Sequence, residues 1–106
     1  MAAQSDDTPV LDLLATMTAA SLETTSLDAE QLMLVRLAAL VAVDAPPASY
    51  LLNLGPAGQS GVDVVDIQGV LTAVAPIVGT ARVASATINM IEALGVALDT
   101  VDTAPD

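Results

Sequence analysis

Apolar residues recur at a helical spacing along most of the chain, and short polar or proline-containing segments separate them into groups. In the first group, from Pro9 to Glu23, Thr8 can cap a helix and Pro9 suits its first turn. One stripe of this helix carries Val10, Leu13, Leu14, Met17 and Leu22. The pattern therefore predicts an amphipathic helix over residues 9 to 23.

The second group, residues 29 to 43, is apolar on nearly every face, and Arg36 in its middle is the exception. Asp28 suits the N-cap, and Gln31 three residues later completes a capping-box pattern. Because a helix that is apolar all round belongs in an interior, this segment is predicted to form the buried centre of the domain. The pair Pro46-Pro47 ends it, since proline has no amide to donate and restricts the residue before it.

A short third helix is predicted from Pro47 to Leu54. Gly55-Pro56 are expected to end it, and residues 57 to 62, which include two glycines, are expected to form a loop. The only aromatic residue of the chain, Tyr50, falls in this short helix.

The last two helices are predicted on either side of Gly79. Asp63 suits an N-cap, with Asp66 as a second acid near the positive helix end, and this helix is expected to run to about Val78. One side of it carries Ile67, Val70, Leu71, Val74 and Ile77. Thr80 is expected to cap a final helix over residues 81 to 98, whose core-facing residues are predicted to be Val83, Ile88, Ile91, Leu94 and Leu98.

Together these elements predict one all-α domain of about five helices over residues 9 to 98. The polar residues 1 to 8 and the acidic residues 99 to 106 are expected to be flexible tails. A length of 106 residues suits a single domain. Since 54% of residues are apolar but only 1% are aromatic, the interior must be built from small aliphatic side chains that allow close helix packing.

A small domain leaves much of its surface exposed, so a chain this apolar would expose large apolar patches as a monomer. Such patches usually mark interfaces. We therefore expect a homo-oligomer with closed symmetry.

Charge and targeting signals narrow the choice of partners. Thirteen acidic residues against Arg36 and Arg82 give a formal net charge of −11, which repels nucleic acid and anionic lipid. The uncharged run from residue 67 to 81 is too short for a membrane helix and is broken by Pro76, Gly79 and Thr80, so no membrane span is expected. The first residues do not read as a secretory signal, and the cytoplasm is the expected location.

Candidate chemistry is sparse, because the chain contains no cysteine and no histidine. No thiol nucleophile, disulfide or thiolate metal site is possible, no carboxylate loop suggests a metal, and no cofactor is expected. Two residues are candidates. Arg36 is expected to pair with Asp44, Glu30 or an acid of a neighbouring subunit, with anion binding as the alternative. Tyr50 is expected to pack its ring and extend its hydroxyl to the surface, with a hydrogen bond to a ligand carbonyl as the alternative.

Two segments carry a resemblance to a known family: SLDAEQLMLVRLAALVAVDAPPASYLL and GVDVVDIQGVLTAVAPIVGTARVASATINMIEAL. The order of elements resembles the carboxymuconolactone decarboxylase family, which includes proteins like alkyl hydroperoxide reductase D, over about residues 26 to 95. The most specific parts are Leu27-Asp28, Gly61-Val62-Asp63 and APIVGTARVASA at 75 to 86. The resemblance implies an all-α fold that assembles as trimers, hexamers or related rings.

The family's reactive groups have no counterparts in this chain. The resemblance puts the Cys-x-x-Cys pair of the peroxidase-like branch at Ala45 and Ala48, its histidine at Leu52 and its glutamate at Met33. We therefore expect a non-catalytic structural or small-ligand-binding homo-oligomer, a pseudoenzyme that takes a small apolar ligand. The alternative is a decarboxylase-like enzyme that acts on a small lactone or acid through Tyr50 and Arg36.

Overall fold

A computed structural model describes residues 8 to 102, which form five helices and no strand. The helices are α1 (Pro9–Thr24), α2 (Ala29–Ala42), α3 (Pro47–Gln59), α4 (Val64–Val78) and α5 (Thr80–Asp102). The prediction of a compact all-α domain of about five helices is confirmed. Residues 99 to 102, assigned above to the C-terminal tail, continue α5, whereas residues 1 to 7 and 103 to 106 of the predicted tails lie outside the described residues.

Two helices begin with the capping boxes that the sequence predicted. At the start of α2 the Gln31 amide donates to Asp28 Oδ1 at 2.8 Å, and the Asp28 amide donates to Gln31 Oε1 at 3.2 Å. At the start of α4 the corresponding distances between Asp63 and Asp66 are 2.9 and 3.1 Å. These reciprocal bonds satisfy amides that have no partner inside the helix, and they account for both acids of the Asp63–Asp66 pair.

The predicted end of α3 at Leu54 is wrong, because the helix continues through Gly55 and Pro56 to Gln59. Proline in a helix removes one backbone hydrogen bond and strains the turn before it. Here the extra turn brings Ala57 into the core, and the chain closes behind it with a bond from the Val62 amide to the Ala57 carbonyl at 2.9 Å. Gly61, with φ of 98°, occupies the left-handed position that such a C-terminal closure requires.

The core surrounds α2, as predicted, and its largest fully buried side chains are Tyr50, Leu37 and Val41. Helix α2 contacts α3, α4 and α5, while α5 packs chiefly along α3. The predicted inner face of α5 is wrong at Ile88 and Ile91, which are both 64% exposed. The buried residues of α5 between positions 80 and 95 are Ala86, Met90 and Ala93, and Leu98 of the predicted face lies outside the residues whose side chains are described. Alanines on the inner face let the α5 backbone approach its neighbours closely, so the larger isoleucines are turned outward. Ile77, predicted for the inner stripe of α4, is exposed as well.

Helix α1 is the least integrated element of the fold. It has the predicted apolar residues, but none of its sixteen residues is buried. Its large apolar side chains remain between 50% and 67% exposed: Val10, Leu11, Leu13, Leu14, Met17 and Leu22. One hydrogen bond, from Arg36 Nη2 to Ser21 Oγ at 3.0 Å, ties it to α2. The packed domain is therefore formed by α2 to α5, with α1 beside it.

Candidate functional site

A cavity of about 300 Å³ lies where the second half of α1, the start of α2 and the second half of α3 meet. Its apolar wall is formed by Leu22, Ala29, Leu32, Met33, Leu52 and Pro56. Its polar groups are Thr18, Arg36, Asn53, Gln59 and Ser60. Mostly apolar walls with a few polar groups, at the lower end of the usual volume range, are typical of sites for small molecules.

A larger groove of about 870 Å³ adjoins this cavity, with α1 on one side and α2 and α3 on the other. We call it the α1 groove; the α1 side of it includes Leu11, Leu14, Met17 and Leu22, and the other side includes Arg36, Ala39, Leu40 and Leu52. The cavity and the α1 groove share five residues: Thr18, Leu22, Arg36, Leu52 and Asn53. No carboxylate lines either of them among the described residues, so the Arg36 guanidinium is their only charged group.

The structure gives Arg36 a different partner from the acids that were predicted. Within residues 8 to 102 it forms no ion pair with Asp44 or Glu30, and its guanidinium donates instead to the Ser21 hydroxyl. Asp44 follows Arg36 by eight positions, about 12 Å along a helix axis, and binds Ser85 instead. An acid of a neighbouring subunit stays a prediction. Because a guanidinium has five N–H donors in a planar fork, Arg36 retains donors for an anion in the cavity.

Tyr50 is fully buried, and its ring packs in the core as predicted. The prediction that its hydroxyl reaches the surface is wrong, since that hydroxyl is buried and has no hydrogen-bond partner within the part of the chain that the structure describes. Tyr50 lines neither the cavity nor the α1 groove. The structure therefore places the two candidate residues, Tyr50 and Arg36, in different surroundings.

Burial raises the pKa of the Tyr50 hydroxyl above its ordinary value of 10.0, and the negative charge of Asp44 raises it further. Both effects disfavour the phenolate in the folded protein. The pKa of Tyr50 in the unfolded chain is about 10. Below that pH the neutral Tyr50 hydroxyl makes its full contribution to the free energy of unfolding, and this contribution is lost as the pH rises through the higher pKa of the folded state.

Tyr50 can be titrated at alkaline pH without interference from similar groups, because the chain has no lysine, cysteine or second tyrosine. Between about pH 10 and the folded pKa, we expect the free energy of unfolding to fall by up to about 1.4 kcal/mol per pH unit. Denaturant unfolding at a series of pH values measures this slope, and tyrosinate absorbance follows Tyr50 alone. Tyr50→Phe is the control and should remove the slope. A native-state midpoint at or below pH 10 would contradict the assignment.

A polar cluster joins the turn between α2 and α3 to α5. Ser85 Oγ donates to Asp44 Oδ1 at 2.6 Å, and Asn89 Nδ2 donates to the Ala45 carbonyl at 3.1 Å and to Ser85 Oγ at 3.4 Å. Asp44 has φ of 56°, the left-handed position at the end of α2. Sequence reasoning missed this cluster, although the spacing of Ser85 and Asn89 by four positions places them on one face of the helix and was a signal. Its bonds fix the turn that precedes Tyr50.

The four positions that carry reactive groups in the resembled family fall into two environments. Met33 and Leu52 both line the cavity. Ala45 is buried and Ala48 is exposed, and neither lines the cavity or the α1 groove. Only the positions resembling the family's glutamate and histidine therefore share a site here.

The described residues hold no group of three or more side chains suited to bind a metal ion. Likewise, none of the helices among them combines the length and apolar character needed to cross a bilayer.

Comparison of the chain with protein-family models, curated proteins and solved structures finds no match.

Proposed function

We propose that this protein is a homo-oligomeric binding protein without catalytic groups, which takes a small, mostly apolar ligand in the cavity beside Arg36. The observation that carries the proposal is the cavity itself: aliphatic walls with a single guanidinium and no carboxylate among the described residues. Aliphatic walls favour an apolar body, and the guanidinium, which no carboxylate of the described residues neutralises, favours an acidic group on it.

The non-catalytic part of the proposal is supported by which groups are near the cavity. Acid–base and nucleophilic catalysis need a group whose pKa suits proton transfer or attack, such as histidine, cysteine or a perturbed carboxylate. The sequence has neither histidine nor cysteine, and the Tyr50 hydroxyl is buried outside the cavity. The lactone-directed alternative requires Tyr50 to reach the ligand, and no contact of Tyr50 favours it.

The proposed scaffold is that of the carboxymuconolactone decarboxylase family, to which the segments quoted above bear a resemblance. The five-helix order and the presence of Met33 and Leu52 in one cavity support this part of the proposal. A cytoplasmic location is part of the same proposal.

Octanoate and octanol are suitable probes, because they share an aliphatic chain and differ in the charge that Arg36 would bind. We expect Arg36→Ala to weaken octanoate binding by about 10- to 100-fold, the loss of a hydrogen-bonded charge contact, and to leave octanol binding nearly unchanged. Isothermal titration calorimetry measures both affinities. Arg82→Ala, which removes the other cation of the chain on exposed α5, is the matched control.

Failure of both probes to bind, or equal losses in Arg36→Ala and Arg82→Ala, would count against the cavity as the binding site. Turnover of a small lactone that disappears in Tyr50→Phe would instead favour the enzymatic alternative.

A further inference from the structure

Helix α1 presents apolar side chains that the described part of its own chain does not cover. On the side of the α1 groove, Leu11, Leu14, Met17 and Leu22 are all at least half exposed. A helix of 16 residues is marginal in water by itself, and in proteins its stability comes mostly from packing of its apolar face. Helix α1 therefore needs a covering surface more than any other helix of the fold.

We infer that a second copy of this chain covers α1, with the α1 helix of each copy lying in the α1 groove of the other to form a two-fold symmetric dimer. The inference rests on the homo-oligomeric part of the proposed function and names the surface that forms the contact. A reciprocal contact of this kind buries the same patch on both subunits, which is the commonest arrangement among soluble homo-oligomers.

The size of the surface suits this pairing. A helix of 16 residues is about 24 Å long and about 10 Å wide, so α1 and the wall opposite it present a strip of about 500 Å² per copy. Two such strips together reach about 1,000 Å², the lower limit for a specific interface. A contact that buried only one of the two α1 helices would bury less area than this limit.

The distribution of charge also suits a second copy. In α1, residues 13 to 22 carry no charge, and Asp12 and Glu23 flank them. Two copies can therefore meet along these ten residues without bringing acids together, although each chain has a net charge of −11. The α1 groove has no carboxylate among the described residues, so it adds no repulsion against the flanking acids of a second α1.

Helix α5 has another exposed apolar stripe, which includes Ile88 and Ile91. The opposite side of α5 is buried through Ala86, Met90 and Ala93, so this helix is already held by the core. Its outer stripe thus provides the control surface, since Ile88 and Ile91 line neither the cavity nor the α1 groove.

Sedimentation velocity over a range of protein concentrations tests the inference without any ligand. We expect the unmodified chain to form dimers and Leu14→Glu to weaken association by at least about 100-fold, because the carboxylate would be buried in an apolar contact. Leu11→Glu should act in the same direction. Ile88→Glu places the same charge on the control surface and should leave the dimerisation constant within about threefold. Circular dichroism and the shielding of Tyr50 check that each variant is folded.

The outcomes separate this inference from the proposed function. A chain that stays monomeric at all concentrations would contradict both the inference and the oligomeric part of the proposed function. A dimer that persists in Leu14→Glu and Leu11→Glu, or that dissociates in Ile88→Glu, would overturn the inference alone. So would a trimer, since reciprocal pairing of α1 relates subunits by a two-fold axis.

Discussion

Tyr50→Ala is expected to lower the free energy of unfolding by about 3–5 kcal/mol, the usual cost of truncating a large buried aromatic side chain. Tyr50 is the largest of the fully buried residues and the only aromatic one in the chain. It lies on α3, in the core cluster with Leu37 and Val41 of α2 and Met90 of α5. The remaining core residues are aliphatic and smaller than tyrosine, so they are poorly suited to fill the resulting cavity. Denaturant unfolding at neutral pH measures the change.

Tyr50→Phe is the matched variant, because it keeps the ring and removes only the hydroxyl. That hydroxyl is buried and has no partner among the described residues, so its removal should be neutral or should stabilise the protein by about 1 kcal/mol. Destabilisation by more than about 1 kcal/mol would show that the hydroxyl forms a hydrogen bond in solution. The pair of variants therefore separates the packing of the ring from the cost of the buried polar group.

Gly79→Ala is expected to destabilise the protein by about 1–3 kcal/mol, because Gly79 has a backbone conformation that is nearly exclusive to glycine. Its φ is 89° and its ψ is 164°. Gly79 ends α4, and its carbonyl accepts from the Val83 amide at 3.2 Å in the first turn of α5. A change of its backbone angles would therefore alter how the two helices meet.

Gly69→Ala is the control for this variant, since Gly69 lies inside α4 and an added Cβ would meet no atom within 4 Å. Alanine has the higher helix propensity, so this substitution should stabilise the protein by about 0.5–1 kcal/mol. The same chemical change is thus expected to have opposite signs at two positions ten residues apart. Thermal unfolding of both variants tests the contrast, and equal effects would argue against the strained connection at Gly79.

Local patterns in the sequence predicted the helix starts well. Asp28 with Gln31 and Asp63 with Asp66 were recognised because a capping box is made of residues three positions apart. The end of α3 was predicted wrongly, because Gly55-Pro56 is locally a stop signal, and it is overridden by the tertiary burial of Ala57. A rule based on neighbours in sequence contains no information about such long-range packing.

The sequence was a poorer guide to which side chains are buried and which groups they bind. The inner face of α5 was assigned to its largest residues, Ile88 and Ile91, whereas the close approach of helices selected its alanines. The Arg36 side chain was expected to find an acid, but its contact with Ser21 depends on how α1 lies against α2. The cavity could not be predicted, because it is formed by three helices whose relative positions no local pattern specifies.

The separation of α1 from the core has an evolutionary consequence. Mutations on α2 to α5 alter a shared interior and must be compensated by their neighbours, whereas none of the α1 residues takes part in that interior. Natural variation can therefore remodel α1 residue by residue at little cost to folding. Descendants of one ancestral domain could in this way acquire new assembly partners while the architecture beneath stayed constant.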